Sequence, residues 1–286
     1  MFKFTTQLTT SGSRYLCRYF TTQSTSANEP LVLLEKHLVD GKYNGVSILK
    51  LNKPTTLNAL TFTMGEEFKK LVAQLENESD LKCVVLTGAG KAFSSGGDLN
   101  FLRERAADTP ENNAKIMEKF YKTFLCIRNI PVPVIAAVNG HAIGAGLCLA
   151  LATDIRIAST KASLGLTFVG VNLHPGMAAT HFLPRMVGHQ VASRLILTGD
   201  VLSAEESKRL GIVVDVAEPD QLMNNALEMA STIAKRSPFA VRSSTKTLRT
   251  LSGLGLDSSL QREADAQSQC YAQETFLSNP IFLEKK

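Results

Sequence analysis

Val134-Ile135-Ala136-Ala137-Val138-Asn139-Gly140-His141-Ala142-Ile143-Gly144-Ala145-Gly146-Leu147-Cys148-Leu149-Ala150-Leu151 is the stretch on which the fold turns. Its first five residues are a short continuous apolar run, which reads as a buried strand. Asn139-Gly140 turns the chain. The small apolar residues 144–152 then read as a helix, and Ile155-Arg156-Ile157-Ala158 as the next strand. Towards the N-terminus the same grammar recurs. Val46-Ser47-Ile48-Leu49-Lys50-Leu51 alternates like a half-buried strand, and Pro54 ends it. Thr63-Met64-Gly65-Glu66 has capping-box spacing, and Phe68, Leu71, Val72 and Leu75 follow at helical spacing. Val84-Val85-Leu86-Thr87 is a buried strand entering the loop Gly88-Ala89-Gly90. Ile116, Met117, Phe120, Phe124 and Leu125 share one helix face, closed by Pro131-Val132-Pro133. Strand, helix, strand and glycine loop, repeated, predict α/β layering. Beyond about residue 190 the segments 189–197, 203–210, 220–235 and 238–251 all read as helices, with a capping box at Ser203-x-x-Glu206. No strand-like alternation follows Val216.

The chain has 286 residues, 44% of them hydrophobic, enough for one full core. No apolar run approaches the roughly 18–20 residues of a membrane span. The formal charge is +5, of which Lys3, Arg14 and Arg18 supply +3, so +2 belongs to the rest. That is a weak case for a nucleic-acid surface. Five scattered cysteines (17, 83, 126, 148 and 270) show no zinc spacing and read as reduced thiols, and no metal is expected. Residues 1–27 are rich in Ser and Thr and precede the first acid, Glu29. This is the composition of a mitochondrial transit peptide, with Arg18-Tyr19-Phe20 near the cut, and it predicts the mitochondrial matrix.

Two segments depart from core grammar. One is Lys91-Ala92-Phe93-Ser94-Ser95-Gly96-Gly97-Asp98-Leu99, and the other is Asn139 to Leu147; both follow strands. Small residues let a ligand approach the main chain, and a helix start has free N–H groups. Two such donors on one oxygen form an oxyanion hole, the device for charge developing on a thioester oxygen. No Walker-type G-x-x-x-x-G-K-[ST] occurs.

Together these segments resemble the crotonase family of enoyl-CoA hydratases and isomerases. The resemblance runs from about Val46 to the C-terminus. It is carried by Asn52-Lys53-Pro54, Leu57-Asn58-Ala59-Leu60, Phe93 to Leu99, Pro133 to Gly140, Gly144-Ala145-Gly146, Asp154 to Ala158, Leu197-Thr198-Gly199, Ala204-x-x-Ser207-x-x-x-Gly211-x-Val213 and Phe282 to Lys286. It implies a spiral of ββα turns over residues 28–212 and a helical trimerisation region over 213–286, assembled as a homotrimer or hexamer. It also implies an acyl-CoA substrate, with coenzyme A as part of the substrate and no separate cofactor. By position the oxyanion donors are Gly97 and Ala145. Gly97, Asp98, Leu99 and Asn100 line the pantetheine and adenine side, the backbone around Leu57 and Ala59 contacts the CoA, and Lys53 lies near its phosphates.

The resemblance fails at the acids. Hydratases of the family use two glutamates on one water, as addition across a conjugated double bond asks for. Here the first falls on Cys148 and the second on Phe168, and no Asp or Glu occurs from Pro131 to Thr153 or between Asp154 and Asp200. The single-acid positions of family isomerases meet Pro175 or Gly176. The polar groups left nearby are Cys148, His141, Asn172, His174 and His181. His174 is the candidate base, since an imidazole titrates near neutrality; the plainer alternative is a hydrogen-bonded loop histidine. Cys148 reads as a small buried hydrophobe, His141 as structural, Asp98 as a cap or brace and Asp154 as an ion-pair partner. Two functions are in play: an acyl-CoA enzyme of hydratase/isomerase type, or an inactive acyl-CoA-binding scaffold. Isomerisation, decarboxylation or thioester cleavage needs the oxyanion hole and at most one base, whereas hydration would require acids recruited from outside the aligned positions. An RNA-binding relative has little support.

Overall fold

The computed structural model describes residues 29–282, and the expected leader lies outside the described residues. β1 (Val32–Val39) and β2 (Lys42–Leu51) form an antiparallel hairpin. Asp40 and Gly41 turn it with φ of 50° and 77°, the left-handed pair a two-residue hairpin turn requires. After α1 (Phe62–Glu76) the chain winds in ββα turns. The first turn is β3 (Cys83–Gly88), β4 (Ala92–Ser94), α2 (Leu99–Glu104) and α3 (Pro110–Leu125). The second is β5 (Val134–Val138), β6 (His141–Ile143) and α4 (Ala145–Leu151), and the third is β7 (Ile155–Ser159), β8 (Ser163–Gly165), α5 (Ala179–Val187) and α6 (His189–Thr198). Then come β9 (Val201–Ser203), α7 (Ala204–Arg209) and β10 (Asp215–Ala217), followed by α8 (Leu222–Ala234), α9 (Pro238–Ser252), α10 (Leu256–Tyr271) and α11 (Glu274–Leu277).

Each turn gives one strand to a large sheet and one to a small sheet. The large sheet runs β1-β2-β3-β5-β7-β10 and the small one β4-β6-β8-β9. The pairs β2·β3, β3·β5, β5·β7 and β7·β10 are parallel. Alternate strand residues serve opposite faces. Val46, Ile48, Cys83, Val85, Ile135, Ala137 and Ile157 pack under α8, while Leu49, Leu51, Val84, Leu86, Val134, Ala136 and Val138 join the main core. Burial on both faces explains the continuous apolar runs.

The structure moves two sequence readings. The large sheet takes its last strand from β10, beyond the boundary expected at 212/213, and α8 packs across that sheet, so the spiral core extends past residue 212. α1 is capped by Thr61, whose hydroxyl accepts from the Met64 amide, and not by Thr63. The reason is that Leu60 bridges to Gly97, which fixes the extended chain up to Thr61. Asp154 forms the expected ion pair, with Arg249 of α9, whose Nε lies 2.8 Å from Oδ1. Ser203 caps α7 as expected, accepting from the Glu206 amide.

Candidate active site

The first glycine segment is pinned against residues 57–60. The Ser95 amide donates to the Leu57 carbonyl (2.9 Å), the Leu60 amide to Gly96 (2.7 Å) and the Asp98 amide to Leu60 (3.2 Å). The Gly96 amide donates to Ser94 Oγ, whose hydroxyl donates to the Asn58 carbonyl. Of the four amides from Ser95 to Asp98, three are therefore spent inside the fold. Among the described residues that of Gly97 has no acceptor.

The second segment offers a matching group. Gly144 donates its amide to the Gly165 carbonyl at 2.8 Å. Ala145, the first residue of α4, has no acceptor for its own N–H among the described residues, as expected of a first helical position. The two segments touch. Gly96 has φ +97°, and a Cβ placed on it would lie 3.5 Å from the Ala145 nitrogen and 2.7 Å from the Ile143 oxygen. A side chain there would wedge the segments apart. Gly146 is equally constrained, its Cβ position lying 2.4 Å from the Ser94 oxygen. Gly97 is not, since its nearest neighbour would be Leu102 at 3.7 Å.

The residues expected to contact substrate gather around this corner. Leu57 is 40% exposed and left-handed (φ 53°), followed by left-handed Asn58 (φ 55°). The unusual backbone is held by the buried Asn58 side chain, which accepts from the Lys53 amide (2.8 Å) and donates to the carbonyls of Ala89 (2.9 Å) and Ala92 (2.8 Å). Asn58 is a structural linchpin that the sequence reading passed over. Ala59 closes the same turn, and Lys53 stands exposed at its start. Leu99 and Asn100 are exposed on α2. The Asp98 carboxylate is engaged as the N-cap of α2, accepting from the Asn100 and Phe101 amides.

The wall beside Ala145 is apolar where a hydratase needs acids. Cys148 is fully buried and donates to the Gly176 carbonyl at 3.3 Å. Burial, then the nearby Glu263 charge, pushes its thiol well above the ordinary range, so it is no thiolate nucleophile. Phe168 turns its ring towards Gly144, 4.0 Å from where a Cβ would sit.

The histidines divide. His174 is half-buried, with Nδ1 2.6 Å from the Pro175 carbonyl. A carbonyl only accepts, so Nδ1 carries the proton and Nε2 keeps its lone pair. Burial lowers its pKa, with an opposing contribution from the Pro175 bond. Among the described residues no hydrogen bond or ion pair joins His174 to Gly97 or Ala145. His141 bonds Ser163 Oγ (2.6 Å) on the exposed side of β6, and His181 is buried between Ser252 and Ser259.

Two sheets built by ββα turns meet two abutting segments that each carry an unpaired amide. Comparison with known proteins gives the family. The family model described as enoyl-CoA hydratase/isomerase matches residues 41–286. The short-chain-enoyl-CoA hydratase of Clostridium acetobutylicum is 37% identical over 244 residues, covering 85% of this chain and 90% of that protein. A solved enoyl-CoA hydratase from Mycobacterium avium subsp. paratuberculosis K-10 superposes with TM-score 0.76 at 25% identity, covering 89% and 99% of the two chains. A monofunctional enoyl CoA isomerase from M. smegmatis gives TM-score 0.64 at 31% identity, covering 78% and 94%. The chain belongs to the enoyl-CoA hydratase/isomerase family, and it is an enzyme of that type with a crotonase fold.

The same relatives correct one expectation. They are bacterial enzymes, which are not mitochondrial, so the mitochondrial matrix does not stand. The signal was compositional: Ser, Thr and Arg without acids describe many polar tails besides transit peptides. No helix among the described residues is long and apolar enough to cross a membrane.

Proposed function

We propose that the chain binds an acyl-CoA thioester with its carbonyl oxygen between the Gly97 and Ala145 amides, and that it shifts a double bond by one-base chemistry instead of adding water. One observation carries this reading. Two abutting segments each present an unpaired amide, while the two carboxylate positions hold Cys148 and Phe168. Removal of a proton beside the thioester carbonyl generates an enolate, whose oxygen takes the two N–H bonds. Return of the proton two carbons further on completes the isomerisation. No water is consumed, so the second carboxylate is not needed.

The proton carrier in this reading is His174. Its Nδ1–H is committed to Pro175, which leaves Nε2 as the base. The rest of the thioester follows the corner: pantetheine along Gly97, Asp98, Leu99 and Asn100, the Leu57–Ala59 backbone beside it, and Lys53 at the phosphates. No cofactor is needed beyond the CoA of the substrate. The assembly is a homotrimer or hexamer. Phe239, Leu248, Leu251 and Leu254, each more than 60% exposed along α9 and just after it, supply an apolar surface for it. Sedimentation as a monomer at micromolar concentration would remove the oligomer from the proposal.

The chemistry is tested by mass spectrometry and chromatography of 3-enoyl- and 2-enoyl-CoA incubated in H₂¹⁸O. The expected product has unchanged mass and a moved double bond. Incorporation of labelled oxygen would overturn the one-base reading. Binding of thioesters with no conversion of any would favour the inactive scaffold. His174→Ala is expected to lower turnover by about 10²–10⁴, and unchanged turnover would eliminate the histidine base.

A further inference from the structure

The C-terminal segment grips the wall of the site within its own chain. Residues 168–180 form that wall: Phe168 faces Gly144, and the Gly176 carbonyl takes the Cys148 thiol of α4. The backbone here is strained. Asn172, Met177 and Ala178 have φ of 58°, 56° and 64°, and none is glycine. Such residues persist only where surroundings hold them.

What holds them comes from α10 and beyond. The Glu263 carboxylate accepts from the Ala178 amide (2.6 Å), the Thr180 amide (2.8 Å) and the Thr180 hydroxyl. Gln267 donates to the His174 carbonyl (2.7 Å), while its own oxygen accepts from the Tyr121 hydroxyl (2.7 Å). Further out, Asn172 donates to the Thr275 carbonyl (2.6 Å) and Asn279 to the Gly170 carbonyl (3.0 Å). Glu263 and Gln267 are both essentially inaccessible to solvent. A buried carboxylate is costly unless each oxygen is satisfied, and here both oxygens are spent on one loop.

We infer that Glu263 and Gln267 are positioning residues, through which α10 sets the backbone around His174 and against α4, and so the geometry of the reacting end of the thioester. This rests on the acyl-CoA reading. The ties run to main-chain groups at His174, Ala178 and Thr180, so a small relaxation of α10 moves the wall as a unit while the Gly97 segment keeps its own bonds. The CoA end and the reacting end are therefore separable.

The experiment compares Glu263→Gln, Gln267→Met and Thr180→Val with the parent full-length protein. Gln fills the space of Glu but turns one acceptor into a donor, which orphans one of the loop's N–H groups. Exchange of the Ala178 and Thr180 amides, read by NMR, is expected to quicken about tenfold or more in Glu263→Gln. Turnover of a 3-enoyl-CoA is expected to fall about ten- to a hundredfold, with the Kd for butyryl-CoA (saturated, hence inert to isomerisation) changed less than about threefold. Adding Ala178→Gly, which relieves the left-handed strain, is expected to restore part of the turnover. If Glu263→Gln does not fold, Thr180→Val removes one bond of the same set and carries the test. Unchanged amide exchange, or a fall in kcat matched by a comparable rise in Kd, overturns the inference. Failure of butyryl-CoA to bind the parent protein overturns the acyl-CoA reading instead, and the amide exchange still reports on the clamp.

Discussion

The two sides of the site are built by opposite means. At the amide corner the unpaired groups are main-chain N–H, and the side chains are small so that segments touch: Gly96 against Ile143 and Ala145, Gly146 against Ser94. At the wall the backbone is hidden behind bulky or polar side chains, and its geometry is imposed from a helix almost ninety residues away, Ala178 to Glu263 being 85 positions apart. A main-chain donor survives changes of side chain; a carboxylate does not. In the proposed reading the corner therefore holds its chemistry while the wall sets the reaction.

The largest expected effect breaks the corner without touching the wall. Ala145 is the first residue of α4, where proline is well accepted because its N–H has no helical partner. Ala145→Pro deletes the donor alone. Turnover is expected to drop about 10²–10³-fold with the thermal midpoint nearly unchanged. Activity within about threefold of the parent, against that expected loss, would show that Ala145 is no oxyanion donor.

Asn58 comes next, because it ties the corner together. It is fully buried, and its side chain serves the Lys53 amide and the Ala89 and Ala92 carbonyls. Asn58→Ala leaves all three without that partner and places a Cβ-bearing residue with no local hydrogen bond at a left-handed φ. The expected loss is about 3 kcal/mol in chemical denaturation. A loss below about 1 kcal/mol would mean that the turn is held elsewhere.

A glycine pair sharpens the distinction between packing and access. Gly146→Ala forces a methyl to 2.4 Å from the Ser94 oxygen and is expected to cost about 2 kcal/mol. Gly97→Ala meets only Leu102 at 3.7 Å and is expected to change stability by about 0.5 kcal/mol or less. Equal losses in paired thermal melts would erase the difference.

These contrasts also explain what could be read from the chain. The four central strands of the large sheet, β2, β3, β5 and β7, could all be read from the chain, β3 and β5 as continuous apolar runs and β2 by its alternation. β4, β6, β8, β9 and β10 are three residues each, too short for any alternation to register. The corner was legible because its constraint is local: a strand, then small residues. The wall was not. α10 presents Leu260, Glu263, Ala264, Gln267 and Tyr271 to the core, so polar residues sit where helical periodicity asks for apolar ones. Their partners lie on α3, on the loop before α5 and at the start of α5, which only folding brings close. A Glu and a Gln on an apolar stripe were the available signal. Asp154 shows the same limit, with an ion-pairing role legible locally but a partner, Arg249, far along the chain.

The smallest effect concerns pH and again separates the two sides, since among the described residues no histidine bonds to the amide corner while His181 lies behind the wall. His181 is buried, with Nε2 2.8 Å from the Ser252 carbonyl and Nδ1 3.3 Å from Ser259 Oγ. Burial lowers its pKa from 6.5, the Ser252 bond raises it, and the Arg185 and Arg128 charges lower it further. The folded state thus binds fewer protons than the unfolded chain just below pH 6.5. The stability this histidine contributes is present above pH 6.5 and is lost as pH falls through the folded pKa. Glu263 works the other way: burial raises its pKa from 4.5, so its contribution is present below pH 4.5 and is lost as pH rises through its folded value. Single variants separate the opposed slopes. His181→Gln can keep a donor towards Ser252 but does not titrate. It is expected to flatten the loss of stability below pH 6.5 by at most one proton, about 1.4 kcal/mol per pH unit. Denaturation midpoints from pH 5 to 7.5 measure it. If the parent and His181→Gln curves run parallel throughout, the buried imidazole does not titrate between folded and unfolded states, and the pH dependence of the wall falls to His174 and Glu263.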